Sequence, residues 1–292
     1  MDVNGFSVTP DAGVSIISTG SDFQVTFPPN NSYSAIDYKI TFIEPSGQSN
    51  PKSGSTIYTV NSCKHPCGMA SFDANGYEYV DLELPSCTLW ATMNVGATSL
   101  TQWGKFFAWG ETVGYYYNEI GNHNNMRKFS LNNYAFNNGS TTEMGKYNST
   151  DGKTTLDLSD DAARVNMGGD WHMPTQAQCC ELRDNCTFAT GTSEGVQIIT
   201  LTSKINGNTL VFPRSGYYTV NAFDYSVRYG EEDSSWMIDV WGSDVLPVSG
   251  DKAQACHFFV GGNSITDRFY MACDNWPRWD GFVVRGVLGV LN

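Results

Sequence analysis

The sequence has little charge, and few of its charges are positive. Asp, Glu, Lys and Arg make up only 16% of the 292 residues, against about 25% in an average globular chain. Thirty acidic residues against 17 basic ones give a net charge of −13. A field of that sign repels phosphate backbones, so nucleic acid is not expected among the partners.

Long apolar runs and a leader segment are also missing. No stretch approaches the about 20 consecutive apolar residues that a membrane-spanning helix requires, so we expect no membrane insertion. The opening residues, MDVNG, contain neither the basic nor the apolar region of a secretory signal. Two interpretations remain open: a leader was removed before this chain begins, or the protein reaches its site by another route.

Recognisable catalytic motifs are absent as well. The chain contains no Gly-x-Ser-x-Gly, His-Glu-x-x-His or Gly-Lys-Ser/Thr signature. Its four histidines are scattered, and His172, between a tryptophan and a methionine, is expected to be structural. The acidic segment 231–233 lacks the spacing of a calcium loop and is expected to be a solvated turn. We therefore predict no catalytic residue, no metal and no cofactor.

The cysteine pattern leaves the compartment undecided. Of eight cysteines, Cys63 and Cys67 form the one pair with a short spacer, and His65 lies between them. A closed zinc site needs four ligands and no second such pair is visible, so a local disulfide or free thiols are favoured over zinc. Cys256 or Cys273 acting with a histidine as a nucleophile is a weaker alternative.

Aromatic residues are abundant, and their pattern divides the chain. The sequence is 40% apolar and 13% aromatic, enough for a packed core and incompatible with disorder. Near the N-terminus, apolar and polar residues alternate over 23–27 and 36–42, which indicates half-buried antiparallel strands. We predict a small all-β, immunoglobulin-like module over residues 1–62 and a second domain over residues 63–292.

The second domain combines short helices with strands. Ser159 is predicted to cap a helix that ends at Gly168 and Gly169. Thr175 and Gln178 have the spacing of a capping box and predict a second helix. An Asn-Gly pair at 206–207 between two β-like runs predicts a hairpin. Two short helices among many strands favour an α+β fold.

The most informative region for function is 233–285. Tryptophan, tyrosine and phenylalanine alternate there with aspartate and arginine, a composition typical of adaptable binding surfaces. Trp276 and Trp279 flank a Pro-Arg pair and are predicted to be exposed in a loop, whereas Trp90, Trp109 and Trp171 are assigned to the core. The expected ligand-binding residues are Asp239, Trp241, Asp244, Asp267, Arg268, Tyr270, Asp274, Trp276, Arg278 and Trp279.

Five segments together resemble a known family. They read DLELPSCTLWATMNVGAT at 81–98, FAWGET at 107–112, LSDDAAR at 158–164, GDWHMPT at 169–175 and ELRDNC at 181–186. In this order they are similar to FISUMP, the Fibrobacter succinogenes major paralogous domain, over about residues 77–292. The resemblance implies a C-type-lectin-like fold, related to that of the formylglycine-generating enzyme and displayed on bacterial surfaces.

Two departures limit what the resemblance implies. Formylglycine-generating oxidases bind copper through a close pair of C-terminal cysteines, whereas Cys256 and Cys273 lie far apart in sequence. Calcium-dependent lectins combine a Glu-Pro-Asn loop with Trp-Asn-Asp, but this domain has only DNW at 274–276. Neither activity is therefore transferred, and the protein is predicted not to be an enzyme.

The C-terminal segment DGFVVRGV, at 280–287, is similar to the closing strand of variable proteins diversified by retroelements. That resemblance implies a rigid frame with a changeable ligand surface. We predict a non-enzymatic ligand-recognition protein, an adhesin or phage receptor-binding protein, that binds a protein or glycan receptor. It is expected at the cell surface, outside the cell or on a virion. The alternatives are a degenerate oxidase and a structural pilus or tail subunit.

Overall fold

The computed structural model describes residues 2–3, 6–18, 23–28, 36–43, 53–60, 72–73, 75–120, 128–220, 226–229, 235–245, 254–263 and 268–288. The chain forms two compact units. One comprises Met1–Met69 with Pro85–Cys87, and the other comprises Ala70–Leu84 with Thr88–Asn292. The predicted boundary after residue 62 lies within the first unit.

In its described part, the first unit consists of β-strands. They are β1 (Asp2–Val3), β2 (Phe6–Thr9), β3 (Ser15–Ser18), β4 (Phe23–Thr26), β5 (Ile36–Ile43) and β6 (Ser53–Val60). An antiparallel sheet has the order β1-β2-β5-β6, and β3 pairs with β4. Val8, Val14 and Tyr38 form its small core. The strands predicted from the alternation at 23–27 and 36–42 are therefore present.

The second unit contains the remaining elements. Its first strands are β7 (Tyr79–Asp81), β8 (Leu89–Ala91) and β9 (Phe106–Phe107). Its helices are α1 (Tyr117–Ile120), α2 (Ala162–Met167) and α3 (Gln176–Asn185). The later strands are β10 (Cys186–Ser193), β11 (Val196–Ser203), β12 (Thr209–Pro213), β13 (Tyr217–Val220), β14 (Ser226–Tyr229), β15 (Ser235–Val245), β16 (Gln254–Asn263), β17 (Arg268–Pro277), β18 (Phe282–Val283) and β19 (Val287–Leu288). Few helices among many strands make the chain mostly β.

A five-stranded sheet with the order β17-β16-β15-β18-β9 is the centre of the second unit. β15, β16 and β17 are antiparallel neighbours, and β18 pairs in parallel with β15. Because side chains alternate across a strand, Ile238 and Val240 enter one apolar cluster while Trp241 enters another. β15 therefore packs against an apolar cluster on each of its two faces, as strands inside a protein do.

Different elements cover the two faces of this sheet. The first cluster includes Leu182 of α3 and Phe212 of β12 beside Ile238 of the sheet. The second includes Trp109 and Trp171, which the sequence assigned to the core and which are fully buried. Trp90, the third predicted core tryptophan, is also fully buried.

Local signals predicted α2, α3 and the hairpin, with one exception at the cap of α2, but they did not predict α1. The capping box of α3 forms as expected, with Thr175 accepting from the Gln178 amide. β11 and β12 form the predicted hairpin. The N-cap of α2 is Asp161, not Ser159, because the Asp161 carboxylate accepts from the Arg164 amide, whereas Leu158–Asp160 form a preceding 3-10 turn.

Arg285 ties the C-terminal segment to the rest of the unit. Its guanidinium is fully buried and donates to Asn94 and to the carbonyls of Ala91, Thr92 and Val211. It also lies 4.1 Å from the centre of the Phe212 ring. Across the described ranges, no helix has the length and apolar character required to cross a membrane.

Candidate functional site

Two of the predicted contact residues are inside the central sheet. Asp239 is 2% exposed and Trp241 is 0% exposed, because both lie in β15. The prediction that they form a binding surface is therefore wrong. The apolar run from Trp236 to Trp241, interrupted only by Asp239, is typical of a strand covered on both faces. The mixture of aromatic and charged residues over 233–285 had instead predicted a binding surface.

Arg278 is also buried rather than exposed, with 0% of its surface accessible. Its guanidinium donates to the carbonyls of Lys146, at 3.0 Å, and Tyr147, at 2.8 Å. Its Cζ atom lies 4.7 Å from the centre of the Trp109 ring. Carbonyl oxygens and a π face solvate the cation, so the residue anchors the 146–147 loop and cannot meet a ligand from solvent.

Asp244 is half-buried, and both of its carboxylate oxygens are engaged within the unit. Oδ1 accepts from the Thr155 hydroxyl at 2.6 Å, and Oδ2 accepts from the Gln176 amide at 2.6 Å. The second bond lies at the N-terminus of α3, where a negative charge is favoured. Asp244 therefore joins a loop to a helix, which contradicts its assignment as a ligand contact.

Trp276 and Trp279 are both half-buried, not freely exposed. Their side chains pack against different apolar clusters although only two residues separate them. Trp276 packs against the cluster that contains Trp241, and Trp279 packs against the cluster that contains Val240. The turn therefore divides the predicted surface, and only the accessible part of each ring is available to a ligand.

The remaining predicted contacts belong to the β16–β17 region. Asp267 lies outside the described residues. Arg268, Tyr270 and Asp274 lie in β17, with their Cα atoms paired to Asn263, Gly261 and His257 of β16. Their side chains are likewise outside the described set.

Three residues of the region 233–285, Trp241, His257 and Trp276, meet around Phe282 together with Tyr217. The Trp241 ring stacks on Phe282 with centroids 4.2 Å apart, and His257 lies at 5.1 Å. Tyr217 lies at 5.3 Å and Trp276 at 6.5 Å from the same ring. We call these five side chains the Phe282 cluster. Its inner members are buried, whereas Tyr217 and Trp276 are half-buried and meet edge to face at 5.4 Å.

A buried carboxyl group fixes the outer edge of the Phe282 cluster. Asp280 is 2% exposed, and its Oδ2 accepts from Trp276 Nε1 at 2.6 Å. Its Oδ1 accepts from the Thr219 hydroxyl at 2.8 Å. Burial raises the pKa of Asp280 to about 7, against the lowering effect of these two bonds. Asp280 thus connects β13 to the turn after β17.

A second buried acid lies beneath the cluster. His257 Nδ1 is 3.2 Å from Asp239 Oδ1, a pairing distance, but the two groups are not aligned for a hydrogen bond. Both residues are buried, and among the described residues Asp239 Oδ2 finds no hydrogen-bond partner. Burial raises the pKa of Asp239, and the nearby imidazole opposes that shift. Desolvation of the Asp239 carboxylate has a larger effect on its pKa than the imidazole, because no hydrogen bond compensates the desolvation fully.

The chemistry of the cysteines differs between the two parts of the chain. Cys87 is disulfide-bonded, whereas Cys179, Cys180, Cys186 and Cys256 are free thiols. The predicted close pair at 63 and 67 lies outside the described residues. Within the described ranges, no three His, Cys, Asp or Glu side chains come close enough to hold a metal ion.

Sequence reasoning missed most of the residues that build the Phe282 cluster. Tyr217 and Thr219 alternate along a short strand and carried no functional signal. His257 contacts Phe282, on the opposite face of β16 from Phe258, and alternation along the strand is the signal that finds it. Asp280 was noted among the region's charged residues, but only the fold reveals that it meets Trp276.

Comparisons with protein-family models, curated proteins and solved structures found no match to this chain. The resemblance to FISUMP and to C-type-lectin-like variable proteins therefore stays a prediction from the motifs.

Proposed function

We propose that this chain is a non-enzymatic ligand-recognition protein. Its second unit would be a C-type-lectin-like FISUMP domain, and its first an immunoglobulin-like module. The supporting observation is the half-buried pair Tyr217 and Trp276, whose rings rest on fully buried side chains. Aromatic rings offer a large contact area at a low cost in conformational entropy, which suits them to recognition.

The frame beneath this pair supports a binding role. Trp276 is hydrogen-bonded to Asp280 and packs against Phe282, which stacks on Trp241 of β15. β15 is held between β16 and β18 in the central sheet. A ligand that meets the pair therefore pays little for ordering it, the advantage of a preorganised site.

The proposed surface retains part of the predicted one. Tyr217 joins the set of proposed contacts. The set no longer includes Asp239, Trp241, Asp244 and Arg278, because these side chains are buried or hydrogen-bonded within the unit. The accessible part of Trp279 and the β16–β17 segment with Asp267, Arg268, Tyr270 and Asp274 remain proposed contacts. A protein or a glycan receptor would suit such a surface. We also propose that a retroelement varies the residues of this surface.

The disulfide at Cys87 supports the proposed location. Disulfides persist in oxidising surroundings and are rare in reducing cytoplasm. This favours the outside of a cell, the cell surface or a virion, the location implied by the family resemblance.

Binding to bacterial cells and to a glycan array tests the proposal. We expect Trp276→Ala and Tyr217→Ala each to reduce binding at least tenfold, since truncating an aromatic residue central to an interface costs about 2 kcal/mol or more. The control is Tyr116→Ala, which changes another exposed tyrosine outside the Phe282 cluster. Equal binding by all variants would contradict the proposal and favour a structural pilus or tail subunit.

A degenerate oxidase is the second candidate, favoured by one observation. β16 and β17 bring Cys273 opposite Phe258, two positions from Cys256, although the two cysteines are distant in sequence. Cys256 is fully buried, and a Cβ atom at Gly242 would lie 3.2 Å from its sulfur, so access to this thiol is restricted. Stoichiometric, tight copper binding that thiol alkylation abolishes would support the oxidase and overturn the recognition proposal.

A further inference from the structure

A single buried acid, Asp280, closes the turn that follows Trp276 and β17. The Asp280 amide donates to the Pro277 carbonyl at 3.1 Å, which closes the turn on its own backbone. The Asp280 carboxyl then accepts from Trp276 Nε1 and from Thr219 Oγ1. Gly281, the next residue, exchanges both backbone hydrogen bonds with Tyr218 of β13. The orientation of the Trp276 ring therefore depends on a bond whose acceptor can be protonated.

The described groups around Asp280 give its negative charge little compensation. β13 contributes the hydroxyl of Thr219 and the phenol of Tyr217, and β17 contributes the indole of Trp276. β16 contributes His257, whose ring lies 5.9 Å from Trp276, and β15 contributes Asp239, which pairs with that histidine.

The nearest arginine in sequence does not serve as a partner for this acid. The guanidinium of Arg278 is directed to the carbonyls of Lys146 and Tyr147. The side chains of β14, the strand next to β13, lie outside the described set.

The two donors respond differently to protonation of Asp280. The Trp276 indole only donates, whereas the Thr219 hydroxyl can donate or accept. A neutral carboxyl can thus accept from Trp276 through its carbonyl oxygen and donate its proton to Thr219, so every group is satisfied. The ionised carboxyl accepts both bonds more strongly, but its desolvation costs more than these two neutral donors return, so it gains by reaching water as the turn opens. The pKa of about 7, raised by burial, places this change near neutral pH.

We propose that Asp280 is a positioning residue for the ligand-facing ring of Trp276: its protonated carboxyl holds the ring, and its ionised carboxyl releases it. That the ring faces a ligand rests on the proposed function, whereas its positioning by Asp280 does not. The binding surface is therefore ordered at mildly acidic pH and loosened at alkaline pH.

Indole NMR of the full chain, labelled with nitrogen-15, tests the inference without any ligand. We expect the Trp276 Nε1–H resonance to move between pH 5 and pH 9 with a midpoint near 7. The Trp109 indole, which donates to the Gly242 carbonyl, is the internal control and should not follow this transition. A Trp276 resonance that does not titrate in this range would overturn the inference and leave the proposed function untouched.

Two variants assign the transition to Asp280. Asp280→Asn keeps both bonds with a neutral side chain. The Trp276 Nε1–H resonance should therefore keep, at every pH, the chemical shift that the unchanged protein shows at acidic pH. A transition that persists in this variant belongs to another group, such as His257, and overturns the proposal. Thr219→Val removes the hydroxyl that bonds to Asp280 Oδ1 and should move the midpoint, whereas an unchanged midpoint contradicts the assigned hydrogen bond.

Discussion

Arg278 illustrates how a charged residue can serve as a structural anchor. The sequence placed it in an exposed loop between two tryptophans. In the fold, its guanidinium supplies hydrogen bonds that the carbonyls of Lys146 and Tyr147 would otherwise lack. Because these two partners are backbone carbonyls, the role of Arg278 could not be recognised from neighbouring charges.

Arg278→Met should therefore destabilise the protein strongly. The change retains much of the apolar stem but leaves two buried carbonyls without donors, at a cost of about 3 kcal/mol. Urea unfolding monitored by tryptophan fluorescence measures the loss.

Arg164→Met is the matched control for that measurement. Arg164 is half-exposed, and its partner Asp170 lies almost entirely in solvent at 3.3 Å. Such a pair contributes between 0 and about 1 kcal/mol. Equal losses in the two variants would show that Arg278 is not the anchor described above.

At the scale of elements, helix caps connect sequence to structure most directly. The carboxylate of Asp161 accepts from the Arg164 amide at 2.9 Å and from the Met173 amide at 2.8 Å. It thereby caps α2 and also fixes the segment that leads into α3. Ser159, the predicted cap, is exposed, and its hydroxyl bonds to the adjacent Asp160 side chain.

Alanine substitution should separate the two candidate caps. Asp161→Ala removes two bonds to backbone amides and should cost about 2 kcal/mol of unfolding free energy. Ser159→Ala should change it by less than about 0.5 kcal/mol, as surface substitutions usually do. Chemical denaturation of both variants decides the matter, and a larger loss for Ser159→Ala would restore the cap predicted from the sequence.

The elements that the sequence predicted correctly are those defined by local contacts. The capping box of α3 needs only Thr175 and Gln178, and the β11–β12 hairpin depends on its own alternation and turn. β15 was misjudged because the burial of Asp239 and Trp241 is set by neighbouring strands that are distant in sequence. The outer edge of the Phe282 cluster was missed for the same reason, since Tyr217, Trp276 and Asp280 converge only through tertiary packing.

At the scale of the whole molecule, several buried acids share one electrostatic property. Burial raises the pKa values of Glu111, Asp161, Asp239 and Asp280. Each therefore binds its proton more tightly in the folded chain than in the unfolded chain. In a protein of net charge −13, repulsion among the other acids acts in the same direction as pH rises.

Stability should accordingly fall between mildly acidic and mildly alkaline pH. For Asp280, the contribution is fully present below the unfolded pKa near 3.8 and is lost as pH rises through about 7, a change of up to about 4 kcal/mol. Melting temperatures at pH 5 and pH 8 measure the trend. Asp280→Asn should show a smaller decrease, and a variant with an unchanged or steeper decrease would contradict this role.

The pairing of β7, β8 and β19 has a mechanical consequence. β7 and β19 flank β8, and both run antiparallel to it, so they are parallel to each other. A pull on residue 79 in one direction and on residue 288 in the other slides these strands along β8. The backbone bonds on both sides of β8 are then loaded together in shear, and none can be peeled away singly from the end.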